Sequence, residues 1–195
     1  ITVVKKKIKK NKSNTIAQQR QRALWRTLME LVVLFSPSSA LGFPRRKREH
    51  TGDNVFAEAN ANTQVITVTE NEEATGEDDK WLTTVDFSKI TCAKGTLRLP
   101  RQITMAYDGE NNALSFTVGA ETRGPRREED DRLYAMVVET ELMDSELFEL
   151  CTRGEGGMTT ANLPEGWVST NLAVYLFVVS ADGKKASKSS YRTVE

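Results

Sequence analysis

Leu172-Ala173-Val174-Tyr175-Leu176-Phe177-Val178-Val179-Ser180, running into Ala181-Asp182-Gly183, is the stretch on which the fold turns. A run of β-branched and aromatic residues that stops at an Asp-Gly pair reads as a strand over 172–180, a tight turn, and a further strand over 185–194. The same signal recurs upstream. Strands are expected near 81–87, 90–97, 101–107, 113–119, 132–142, 146–152 and 158–163, with Asp108-Gly109, Asn111-Asn112, Gly154 and Gly156-Gly157 as punctuation. Short strands at this spacing predict a mainly β protein with a β-sandwich over about residues 84–195.

Ahead of it the pattern changes period. Thr15-Ile16-Ala17-Gln18 has the spacing of a capping box, and Leu24, Leu28, Leu31, Val32 and Phe35 recur at three- and four-residue steps. This predicts an amphipathic helix over 15–35, stopped by Pro37. A short helix is expected around Val55 to Asn60 and a strand over 63–69. Residues 70–79 read as an acidic loop. The expected organisation is a basic extended arm (1–13), a helix with a connecting subdomain (14–83) and the sandwich (84–195).

Charge is the other strong signal. Thirteen basic residues stand up to Arg48 against one acidic residue, Glu30, a net +12; with 27 basic and 27 acidic residues in the whole chain, the remainder carries −12. Such asymmetry points to an interaction arm rather than to a catalytic centre. The arm (Val3, Val4, Lys5, Lys6, Lys7, Lys9, Lys10) is both β-prone and lysine-rich. It is a candidate assembly device that adds to an edge strand or acidic face of a neighbouring subunit. Arg45, Arg46, Lys47 and Arg48 form a second candidate basic patch. Both could neutralise phosphates, but apart from Trp25 they lack the interleaved aromatic rings on which single strands stack. Nucleic acid is therefore the weaker expectation. The most apolar stretch, Leu24 to Phe35, is interrupted by Arg26 and Glu30 and is too short to span a bilayer. Ile1 in the first position predicts that the chain starts inside a longer product.

Two resemblances rest on particular residues. Leu163-Pro164-Glu165-Gly166 with Leu172 to Gly183 resembles the E–F region of a fibronectin type III or immunoglobulin-like sandwich. That resemblance makes Tyr175 the candidate tyrosine corner, its hydroxyl bonding back to nearby backbone. Three blocks resemble an uncharacterised domain-of-unknown-function family of Bacteroidota: Asn14 to Arg22 with Leu41-Gly42-Phe43; Val85 to Ile90 with Lys94-Gly95-Thr96-Leu97; and Tyr175 to Lys184 with the terminal Ser-Ser-Tyr. This resemblance implies a family fold and supplies no activity, cofactor or catalytic residue.

Nothing in the sequence has the spacing of an enzyme site, so the expectation is a non-enzymatic protein with no cofactor and no metal. His50 stands alone beside Glu49. Cys92 and Cys151 have no activating neighbour and read as reduced packing residues. Asp78-Asp79 and Glu128-Glu129-Asp130-Asp131 lack the alternating ligands and glycine of a calcium loop. They read as solvated loops, or as receivers for a basic arm. The expected role is a structural or assembly subunit, a phage virion component or a surface fibre, that associates with itself or with other structural proteins. A virion or cell-surface setting is favoured over the cytoplasm. The alternatives are a nucleic-acid-associated protein, or a sandwich adhesin with Trp81 or Trp167 exposed at one end.

Overall fold

The computed structural model describes residues 14–44, 50–76 and 80–194. The candidate arm residues Val3 to Lys10 and the candidate patch Arg45 to Arg48 lie outside them. The described chain is mainly β, with three helices and three antiparallel sheets.

Helix α1 (Ile16–Leu34) starts where the capping box predicts: Thr15 accepts from the Gln18 N–H, and Gln18 reaches back to the Thr15 N–H. Its stripe of Leu24, Leu28, Leu31 and Val32 is buried. Pro37 ends this helix but also opens a second, α2 (Ser36–Gly42), which the sequence reading missed. Proline at the first turn needs no N–H, so one residue stops one helix and starts the next. Helix α3 (Gly52–Asn60) is capped by Thr51.

A two-stranded ribbon, β1 (Ile66–Glu70) and β2 (Trp81–Val85), lies against α1, where Thr27 and Thr83 share a hydroxyl hydrogen bond of 2.8 Å. The remaining strands are β3 (Ile103–Asp108), β4 (Ala113–Val118), β5 (Arg132–Glu139), β6 (Asp144–Thr152), β7 (Gly157–Asn162), β8 (Leu172–Val179) and β9 (Ser190–Thr193). They form two sheets, ordered β3-β4-β7 and β6-β5-β8-β9. No strand forms over 90–97. That segment is a buried connection, with Ile90, Cys92 and Ala93 under the helices and Leu97 bridged in parallel to Ser187.

The four-stranded sheet is a wall with packing on both sides. Along β8 every residue is buried. Ala173, Tyr175, Phe177 and Val179 face the helices with Leu28, Leu31, Phe35 and Phe56. Leu172, Val174, Leu176 and Val178 face the three-stranded sheet with Leu114, Phe116, Leu163 and Trp167. Continuous apolar sequence is what a strand covered on both faces requires. The helices and the strands after residue 84 therefore share a core, and the expected division at 83/84 is not a boundary in the packing. A fibronectin-like domain would stop at the two sheets. Here the outer face of one sheet carries a helical layer.

Candidate assembly interface

Tyr175 is fully buried, and its hydroxyl donates to the Phe87 carbonyl at 2.7 Å. The partner is 88 residues away in sequence, not the nearby backbone of a tyrosine corner, so that expectation is corrected. The bond instead ties the 3-10 turn Phe87–Lys89 to the wall, and burial pushes the phenol far above its ordinary range. Cys92 is fully buried beneath α2 with its thiol pushed up by burial to about 12, while half-buried Cys151 is raised by burial and by Glu155. Both thiols are free.

The run Glu128 to Asp131 is not an open acidic face. Arg153, 1% exposed, donates through Nη1 to Glu121 (2.7 Å), through Nε to Asp131 (3.4 Å) and through Nη2 to the Arg98 carbonyl. Glu129 accepts from the Arg123 N–H (3.2 Å), and Glu128 pairs with the Arg123 guanidinium (2.9 Å). Burial works against the Glu121 carboxylate, but the Arg101 N–H and Arg153 outweigh it and hold its pKa below the usual range. These carboxylates are spent on a clasp between the loops before β5 and after β6. Glu128, Glu129 and Asp130 are exposed, as a solvated loop requires, whereas Asp131 is buried against Arg153.

His50 lines an open groove of about 810 Å³ between α1 and α3, together with Trp25, Met29, Asp53 and Glu58. Trp167 is buried and donates to Asp144 (3.2 Å). Trp81 is half-buried and donates to Gln19 (3.3 Å), with the Arg20 and Lys80 charges 5.6 and 5.7 Å from its ring. Neither tryptophan builds an exposed aromatic end. Among the described residues no group of three or more His, Cys, Asp or Glu is placed to hold a metal ion, and no helix is long and apolar enough to cross a membrane.

What the packing leaves open are sheet edges, and these differ in protection. An unpaired edge is a template for another strand unless charge, bulges, short length or cover blunt it. The β6 edge carries exposed Asp144, Glu146 and Glu149 and a register shift opposite Leu133/Tyr134. The β7 edge is held against β6, where Thr159 donates to the Leu150 carbonyl at 2.6 Å. The β1 backbone is reached by Arg20, whose guanidinium donates to the Val68 carbonyl at 3.1 Å. Strand β9 is only four residues long. Strand β3 has none of these devices. It is six residues long, its exposed side chains before Asp108 are Thr104 and Ala106, and it contains no lysine, proline or bulge. Alternation of Ile103, Met105 and Tyr107 made β3 readable as a strand. Its place at an unguarded edge is set by which strands come together, and no sequence signal carried it.

Comparison with models of protein families, with curated proteins and with solved structures finds no match to this chain.

Proposed function

We propose that the protein is a non-enzymatic structural subunit. Its basic N-terminal arm adds as a strand to the body of a neighbouring copy, on a pair of sheets of immunoglobulin or fibronectin III kind. The observation that carries this reading is the contrast among the edges of the two packed sheets: β3 is left ready for pairing, while β6, β7 and β9 are blunted by charge, contact or short length. The arm supplies the matching half, with β-prone residues at Ile1 to Val4 and lysines behind them. Main-chain hydrogen bonds along an edge give affinity without any pocket chemistry, and the opposite net charges of arm and body speed and orient the encounter. Donation by one copy and acceptance by the next is a heterologous contact, which generates rings or filaments, as a virion component or a surface fibre needs.

The test is sedimentation velocity on the intact chain and on a chain lacking residues 1–13, each at low and moderate salt, with thermal unfolding to confirm that both are folded. Discrete oligomers from the intact chain and a monomer from the shortened one support assembly through the arm. Monomers from both overturn it.

A further inference from the structure

One of the two packed sheets is a strand short. Counting from the side where β7 lies against β6, three strands cover four, and the strand left uncovered is β9. Side-chain chemistry agrees. Residues paired directly across a ladder point to the same face, and Val174 and Leu176, which face the other sheet, pair with Arg192 and Ser190. Positions of β9 that would be apolar under a full second sheet are polar here. Beside them is an open cleft of about 210 Å³, lined by Ile103 and Met105 of β3, Leu176 of β8, and Arg192 and Thr193 of β9. Before the two strands the chain is stitched, Leu97 N–H donating to the Ala186 carbonyl at 3.0 Å. Beyond that, no hydrogen bond among the described residues joins β3 to β9.

The vacancy is one strand wide. A second complete body cannot present its own β3 there, because its four-stranded sheet would arrive where β9 already lies, about 10 Å below the plane of β3. Only a lone extended segment fits, with its backbone on the free β3 edge and alternate side chains on Ile103, Met105 and Leu176.

Resting on the reading above, we infer that this slot receives Ile1 to Val4 of a neighbouring copy, inserted parallel to β3. Charge sets the direction. Arg101 stands by the Ile103 end, whereas Asp108 and Glu110 stand at the other. A parallel insertion carries Lys5, Lys6 and Lys7 toward the two carboxylates. The reverse drives them toward Arg101. The four residues that precede the lysines are also the ones that suit an apolar cleft.

Two experiments on the full-length chain test this. Thr104→Lys with Ala106→Lys places two charges on exposed positions of the edge, where a lysine arm would meet them and the core is untouched. The expected result is loss of the oligomers seen in sedimentation velocity, with a Tm within about 2 °C of the parent protein, while Glu146→Lys on the β6 edge leaves the oligomers in place. If the double variant still assembles through its arm, the slot is wrong although arm-dependent assembly stands; if the parent never assembles, the underlying reading falls instead. The second experiment mixes two chains in a Cys151→Ala background, one carrying Val4→Cys and the other Ala106→Cys. Oxidation should give a disulfide-linked heterodimer, and Val4→Cys mixed with Gln102→Cys should give at least tenfold less. A stronger bond to position 102 overturns the parallel direction. No interchain bond at either position overturns the slot, as does a single-chain bond formed within a Val4→Cys/Ala106→Cys monomer.

Discussion

Replacing Arg153 by alanine would leave Asp131 and Glu121 facing each other without the guanidinium they share. Removing one partner from a buried ion pair typically costs about 3–5 kcal/mol, since the other charge stays desolvated. Urea unfolding of Arg153→Ala should show that loss, whereas Arg123→Ala, whose side chain is mostly exposed, should shift the midpoint little. Acid should act on the same cluster. Glu121 has a folded pKa below its ordinary 4.5, and Asp182, held by the Ser180 hydroxyl and the Lys184 N–H, drops from 3.8 to about 2. A carboxylate depressed on folding contributes stability that is present above its unfolded pKa and lost as pH falls through the folded one. The Tm should therefore be flat from neutrality to about pH 5 and decline between pH 4.5 and 2, the declining part shrinking in Asp182→Asn. Little of this was legible. Asp131 and Arg153 are 22 residues apart, and nothing in a run of four acids says that the last is buried while the other three stay exposed.

The elements were more readable than their junctions. Thr15-x-x-Gln18 announced the start of α1 correctly because a cap is a local device, complete within four residues. Thr15→Ala should cost about 1 kcal/mol, visible as a fall in Tm with the far-ultraviolet spectrum of the folded state unchanged. Pro37 was read only as a stop because its second use, opening α2, depends on Phe35 turning the chain toward the core. Residues 90–97 have strand composition but no free ladder to join, and they serve as packing beneath the helices. Gly52 shows a similar override of local preference. Alanine normally favours a helix over glycine by about 0.5–1 kcal/mol, yet a Cβ here would run into the Ser39 carbonyl of α2. Gly52→Ala should therefore destabilise the protein in thermal unfolding, opposite to the propensity expectation, by loosening the α2–α3 packing.

At the scale of the whole molecule, the mainly β class followed from strand spacing, but the helical layer did not. Nothing in 172–179 says which of its two apolar faces meets helices and which meets strands. Both candidate basic segments fall outside the described residues, so what the structure contributes to the assembly reading is the receiving side: the β3 edge and the slot above β9. The double-covered wall also has a consequence in time. Strand β8 holds the cores on either side of it together, and it follows the helices and β3, β4 and β7 in the chain. Until residues 172–179 emerge, the helices have no sheet to lie on and the β3-β4-β7 sheet has no partner, so a nascent chain carries both apolar surfaces uncovered. A chain ending at Asn171 should be digested by protease as an unfolded polypeptide. The arm is made before the strands proposed to receive it. A growing chain thus holds something to give before it can accept anything, and capture is postponed until β9 has emerged.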